Sequence, residues 1–257
     1  MYRISRLTDI TQLRAFLDSR QDAYMKGDLC EPYWSNAEFY GAFVGERLVS
    51  VVLKYAPISP PPIISAGDSE GVRAIYAQLS RTTPELFYHA MYSHMSAVET
   101  YYDYNPSKHL AMWRMICTAA SFQKMESSEY RLQRLTPADS RRLEALQTPP
   151  KSVLESGTFL GLELDGQIVS MAGTHIINLT DQIGVIGWVI THPVYRGRGF
   201  AKLCTSAVTE SLLGQGCQII ALNVIQMNTP AVRAYQRIGF AVHNPLWEGV
   251  ATVKSQA

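Results

Sequence analysis

The stretch Thr191-His192-Pro193-Val194-Tyr195-Arg196-Gly197-Arg198-Gly199-Phe200-Ala201-Lys202 decides how this chain folds. Before it, Ile183-Gly184-Val185-Ile186-Gly187-Trp188-Val189-Ile190 is apolar and β-branched, as a buried strand is. After it, Phe200, Leu203, Ala207, Val208 and Leu212 recur at helical spacing, and the run stops at Gly214 and Gly216. The quoted residues are therefore a strand end, a glycine-bearing turn and a helix start. That arrangement cradles an anion: the glycines let main-chain N–H groups come close, the helix N-terminus adds positive potential, and Arg196 and Arg198 add charge. A pyrophosphate suits all three.

Two common phosphate-binding patterns are excluded. A dinucleotide fingerprint counted from Gly197 needs a third glycine where Lys202 stands, and a P-loop needs Gly-Lys-Ser/Thr, which this chain lacks. Downstream, Cys217 to Val224 reads as a short buried strand. Next comes Asn228-Thr229-Pro230-Ala231-Val232-Arg233-Ala234-Tyr235-Gln236-Arg237-Ile238-Gly239-Phe240, a helix with a cap residue, an early proline and a terminating glycine.

The pattern Arg196-x-x-Gly199-x-Ala201, followed by Asn228-x-x-Ala231-x-x-x-Tyr235-x-x-x-Gly239-Phe240, resembles the two motifs of the GNAT superfamily of N-acetyltransferases. The resemblance implies an α/β class with a mixed α+β sheet, the GNAT fold in the C-terminal half, and acetyl-CoA as cosubstrate without a metal. It implies that Arg196, Gly197, Arg198, Gly199, Phe200, Ala201 and Lys202 hold the pyrophosphate. The pantetheine arm would then run along Val189, Ile190 and Thr191, where a free strand N–H polarises the thioester oxygen. Asn228 and Tyr235 would face the coenzyme, with the Tyr235 phenol protonating the departing thiolate.

The general base is less legible. Many members of that superfamily carry Glu at the position of Asn223, and Asn takes no proton. Leaving a lysine side chain to react unassisted at pH 7 costs about 5 kcal/mol, against about 1 kcal/mol for an α-amine. A water relay, His175, Glu155 and Glu163 all stay open as bases. His192, before a proline at the strand end, is expected to face solvent. The expected activity is transfer of acetyl from acetyl-CoA to a primary amine by direct attack, the acceptor being a small amine or amino acid. A protein N-terminus is the second acceptor, and a non-catalytic acyl-CoA-binding regulatory module or a plain nucleotide-binding α/β protein are the readings from other classes.

Such a domain needs about half of the 257 residues. The first half echoes the second: Ile4 to Ile10 parallels Leu132 to Ala138 as a strand delivering a threonine cap to a helix, and Gly45 to Ser50 parallels Gly166 to Ser170 as a tight turn and second hairpin arm. Residues 1–125 are expected to be a degenerate GNAT-like domain on the acceptor side and 126–257 the catalytic domain, with a polar boundary near Ser121 to Ser128. In the first copy the strand around Pro62 to Ser65 leads through Asp68 and Glu70, which would repel a pyrophosphate, so one coenzyme per chain is expected. Tandem relatives of the glycine N-acyltransferases have this organisation and a strand resembling His109 to Ile116. The aromatic run Leu86 to Met95 with Tyr101 to Tyr104 offers lining for an acceptor cavity.

Charge and cysteine usage bound the rest. With 23 basic and 22 acidic residues the net charge is +1, which leaves no general basic surface for nucleic acid, and no apolar run is long enough for a membrane span. Partners are expected to be acetyl-CoA and the amine acceptor, and the absence of a signal-like apolar stretch after Met1 points to the cytoplasm. Cys30, Cys117, Cys204 and Cys217 are too scattered for a metal or disulfide framework and are expected to be reduced and buried.

Overall fold

The computed structural model describes residues 2–19 and 23–255. Close packing divides the chain into two units, Met1–Trp113 with Asn244–Ala257, and Arg114–His243. By this grouping residues 114–125 lie with the second unit and Asn244–Ala257 with the first.

The first unit runs β1 (Arg3–Leu7), α1 (Ile10–Ser19), two single-turn helices α2 (Ala23–Lys26) and α3 (Tyr33–Asn36), β2 (Ala37–Val44), β3 (Arg47–Tyr55), β4 (Pro62–Gly67), α4 (Ser69–Leu79), β5 (Glu85–Met91), α5 (Met95–Tyr101) and β6 (Tyr102–Tyr104). Strands β1 to β4 pair antiparallel in sequence, and β4 pairs parallel with β5, Pro62 opposite Phe87. Helices form where apolar side chains recur at helical spacing: Leu13, Phe16 and Leu17 in α1, and Val72, Ile75, Tyr76 and Leu79 in α4, are all buried. The cap of α1 is Asp9, whose carboxylate accepts from the N–H groups of Thr11 and Gln12 at 2.8 and 3.3 Å; Thr8, the expected cap, lies one residue too early. The aromatic run builds this unit's own core and a stack of rings, with Trp247 on His109 at 3.9 Å and His109 on Tyr104 at 4.6 Å.

Strand β7 (Leu110–Cys117) contains the division between units. The second unit continues with β8 (Leu132–Arg134), a 3-10 turn (Pro137–Leu143), α6 (Lys151–Ser156), β9 (Phe159–Leu164), β10 (Gln167–Asn178), β11 (Ile183–Thr191), α7 (Phe200–Gly214), β12 (Ile219–Ile225) and α8 (Thr229–Ile238). Strands β8 to β11 pair antiparallel in sequence and β11 pairs parallel with β12. The last strand, β13 (Ala241–Val253), pairs antiparallel with β5, Leu246 opposite Met91. Each unit thus presents the same order of elements and the same pairing scheme, as the echoes between residues 4–10 and 132–138 anticipate. At the second of these Thr136 and Asp139 form a capping box, the N–H and hydroxyl of Thr136 both donating to the Asp139 carboxylate at 2.9 and 3.0 Å, although the helix that follows is a 3-10 turn.

The polar segment read as a boundary is tied down. Gln123 N–H donates to Ile238 O at 2.7 Å, Met125 N–H to Ser206 Oγ at 2.9 Å, Lys124 pairs with Glu210 at 3.0 Å, and Tyr130 meets Phe200 edge to face at 4.9 Å. Of the four cysteines, all free, three are buried and Cys30 is half-buried, contrary to expectation. Among the described residues no helix is long and apolar enough to cross a membrane.

Gly239 ends α8 in the left-handed region (φ 105°), and any Cβ there would collide with the carbonyl of Ser121. Gly239→Ala is therefore expected to cost roughly 1–3 kcal/mol in denaturant unfolding. Gly214→Ala, in open space on the last turn of α7, is expected to stabilise by about 0.5 kcal/mol in the same measurement.

Candidate active site

The site is built where β11 and β12 part. Their parallel register runs from Ile183 opposite Ile219 to Ile186 opposite Leu222 and stops there, while β11 continues for five more residues to Thr191. Beyond Leu222 comes Asn223, half-buried, whose Oδ1 accepts from Nε of the buried Arg114 at 3.3 Å. The residue in the expected base position is thus an acceptor in a structural bond. On its other edge the free end of β11 is held to β10: buried Ser170 Oγ lies 2.8 Å from Thr191 Oγ1 and 3.2 Å from Ile190 O, and His192 N–H donates to Val169 O at 2.9 Å. Val189, Ile190 and Thr191 therefore form a fixed edge whose ladder positions toward β12 are unclaimed by that strand.

From this edge the chain enters a one-turn 3-10 segment, Pro193–Tyr195, and then the glycine turn. Gly197 and Gly199 both have φ of 81°, a conformation that costs an ordinary side chain energy. A Cβ on Gly197 would meet nothing within 4 Å, so the space above the turn is open. Gly199 caps α7, and Leu203 N–H makes the first bond of the helix, to Gly199 O at 3.1 Å. The N–H groups of Phe200, Ala201 and Lys202 consequently have no partner inside the helix, and no acid stands in its first turn to occupy them. The Phe200 side chain points the other way, into the core, so its contribution to the cradle is its amide alone. Arg196 folds back, Nε donating to Thr191 O at 3.2 Å, and braces the turn, while exposed Arg198 lies over the Tyr195 ring at 5.4 Å. His192 is half-buried rather than solvent-facing, with Nδ1 sealed and unpartnered.

Asn228 caps α8 by accepting from Ala231 N–H at 3.3 Å. About two turns on, Tyr235 is 7% exposed; burial pushes its phenol up to about 12, and its hydroxyl makes no hydrogen bond among the described residues.

A cavity of about 320 Å³ opens beside the free edge, lined by Gln147, His175, Trp188, Val189 and Ile190. Two irregularities in the β10–β11 ladder make it. Between Met171 and Gly173 β11 carries an extra residue, and between Thr174 and Ile176 β10 does, namely His175. Bulges re-aim side chains, and here His175 stands exposed between two buried neighbours. Trp188, at φ 51°, leans on the core formed by Leu135, Leu143, Leu154, Phe159, Ile168 and Met171, with its Nε1 sealed and unpartnered. The two rings lie 5.8 Å apart. Of the other candidate bases, Glu163 is committed to Arg142 and Gln133, and Glu155 is an exposed residue of α6 that does not line the cavity. Sequence reading did not single out Trp188 or Gln147 as lining of this cavity; the signal for Trp188 was a polar-tipped ring inside an otherwise aliphatic strand.

The equivalent place in the first unit has no such turn. A single residue, Asp68, separates β4 from α4, its N–H donating to Val49 O at 3.0 Å, and the β3–β4 ladder has no bulge. Asp68 and Glu70 put negative charge where α7 has none.

Residues 119–240 match the family model described as Acetyltransferase (GNAT) family. A protein named Acetyltransferase from Yersinia pestis (strain Pestoides F) is 26% identical over 98 residues, covering 38% of this chain and 67% of that protein. Among solved structures, a tandem GNAT protein from the clavulanic acid biosynthesis pathway aligns over the whole of both chains (TM-score 0.64, 13% identity). An X-ray structure of a Drosophila protein covers 97% of this chain and 98% of its own (TM-score 0.72, 12% identity), and a GNAT-family acetyltransferase from Novosphingobium aromaticivorans covers 79% and 89% (TM-score 0.56, 18% identity). Residues 119–240 thus form a domain of the GNAT family of acetyltransferases, and the full-length fold is like that of a tandem GNAT protein.

Proposed function

We propose that this acetyltransferase moves acetyl from acetyl-CoA to the primary amine of a small acceptor by direct attack, with the coenzyme bound once per chain, in the second unit. The observation that carries this reading is the parting of β11 from β12 beside an open helix N-terminus. The amides of Gly197 to Lys202 suit the coenzyme diphosphate, and the unclaimed edge of Val189, Ile190 and Thr191 suits the amide-bearing pantetheine arm, which would add to β11 as a short strand. An N–H of that edge then stands ready for charge developing on the thioester oxygen. The first half of the chain, residues 1–125 in the linear division, keeps the topology without a cradle and takes no coenzyme.

Direct attack is favoured because no thiol of the second unit is poised as a nucleophile. Cys204, on the cradle helix, is pushed up to about 12 by burial, and burial raises Cys117 and Cys217 as well. Tyr235 acts on the leaving sulfur, though not by giving up its proton outright. An ordinary thiol has a pKa of about 8.5, so transfer from a phenol near 12 is uphill by about 5 kcal/mol. A hydrogen bond from the hydroxyl to the developing thiolate is the contribution this environment allows.

A thiol-release screen of the full chain with acetyl-CoA over small amines and peptides tests the reading: turnover is expected with small primary amines, and turnover with peptides alone would hand the site to protein N-termini. Tyr235→Phe is expected to lower kcat by about 10²-fold with coenzyme affinity unchanged within about twofold. Because burial keeps the phenol neutral to about pH 12, the wild-type to variant ratio should stay flat from about pH 6 to 10; a ratio that collapses in that window would assign the titration to another group. Gly199→Val is expected to weaken acetyl-CoA binding at least about tenfold by calorimetry, and retained affinity would move the cradle elsewhere.

A further inference from the structure

We propose that the imidazole of His94 is a resident occupant of the first unit, filling the parting of β4 from β5 that corresponds to the second unit's coenzyme edge. Once that ring is removed, the cleft takes a small azole with one N–H donor and one bare ring nitrogen. The correspondence rests on the reading of the free end of β11 as the place of the pantetheine arm. In both units a parallel ladder stops while one of its strands runs on. The β4–β5 register ends at Ile64 opposite His89, and β4 continues through Ser65, Ala66 and Gly67. Its other side stays paired to β3 along this stretch, Ser65 with Val52 and Gly67 with Ser50.

The register shows which group needs an occupant. Asp68 N–H donates to Val49 O at 3.0 Å, so by the alternation of an antiparallel ladder the carbonyl of Gly67 points away from β3, toward the β5 side. No β5 residue is in register with it. Beyond β5 the chain makes a single 3-10 turn, Tyr92–His94, which returns the imidazole to this edge. Nε2 of His94 donates to Gly67 O at 3.0 Å, and Nδ1 lies 2.9 Å from Ser65 Oγ. A carbonyl only accepts, so Nε2 carries a hydrogen, and the two bonds together fix how the ring is turned. His94 is 2% and Ser65 3% exposed, so the cleft is shut to solutes while the ring is there.

The two units thus meet the same constraint differently. The second offers the free end of β11 to a ligand, whereas the first satisfies its edge with its own side chain and keeps its sheet closed without a coenzyme. Asp68 and Glu70 oppose a diphosphate, and His94 excludes the arm that would follow it. Deleting the ring leaves a cavity bounded by the Ser65 hydroxyl and the Gly67 carbonyl. Buried cavities made by removing a side chain admit small rings, and these two groups select a ring with an acceptor nitrogen and an N–H at the imidazole spacing.

The test uses the full chain with imidazole, 1-methylimidazole and acetyl-CoA as probes. His94→Gly is expected to lower Tm by about 5–10 °C, and imidazole at about 50 mM to restore about half of that loss while moving the wild type by under about 1 °C. 1-Methylimidazole, which fills the space without an N–H, should restore less than about a fifth of it. Adding Ser65→Ala to His94→Gly should weaken imidazole binding about tenfold. A His94→Gly chain that folds and gains nothing from imidazole, or gains equally from both azoles, overturns the proposal. A second measurement needs no variant: in nitrogen-15 spectra of the wild type the His94 ring is expected to carry hydrogen on Nε2 and to stay in place as acetyl-CoA saturates the chain. A ring with its hydrogen on Nδ1 alone, or one released by the coenzyme, overturns the proposal as well. Imidazole rescue in a chain that binds no acetyl-CoA would support the resident ring and contradict the coenzyme reading of the second unit instead.

Discussion

Two parallel strands that begin paired and then separate impose the constraint on which the second unit depends. Ending the β11–β12 ladder at Ile186 and Leu222 leaves main-chain donors and acceptors unclaimed inside a sheet, which is costly unless something else meets them. The chain keeps that edge straight from its other side, through Ser170, Thr191 and Val169. It then turns through Gly197 and Gly199 so that the unpartnered amides of α7 lie just beyond the same edge. Edge and helix end thus follow one another directly along the chain.

The comparison between units separates fold from chemistry. Both run a strand, helical turns, a hairpin, a fourth strand, a helix and a parallel fifth strand. In the first, a single residue joins the fourth strand to its helix, and the ladder before it is regular. In the second, an eight-residue connection and two bulges intervene. Topology is therefore shared while the groups that could handle a coenzyme are not, as expected when function is carried by local features rather than by architecture.

Much of the second unit was legible because its decisive positions are ones where backbone conformation dictates residue type. Glycines at 197, 199 and 239 take positive φ, Asn228 caps α8, and Thr136 with Asp139 caps the turn after β8. What could not be read depends on pairings remote in sequence. Strand β13 returns to β5 across some 150 residues, so nothing local to either strand reports it. The bulges at His175 and Trp188 are invisible in an aliphatic run because register is a property of two strands at once. Asp9 displaced Thr8 as the cap of α1 by a single position, which periodicity does not resolve. The segment at 121–128 looked like a linker by composition, yet its main chain is bonded to Ile238 and Ser206.

The most direct measurement of the central claim follows the main-chain amides themselves, by nitrogen-15 correlation spectroscopy of the full chain titrated with acetyl-CoA. The amides of Gly197 to Lys202 and of Val189 to Thr191 are expected to shift together and saturate at one coenzyme per chain, while those of Gly67 to Gly71 stay in place. Saturation that moves the Gly67 to Gly71 amides and spares Gly197 to Lys202 would contradict it.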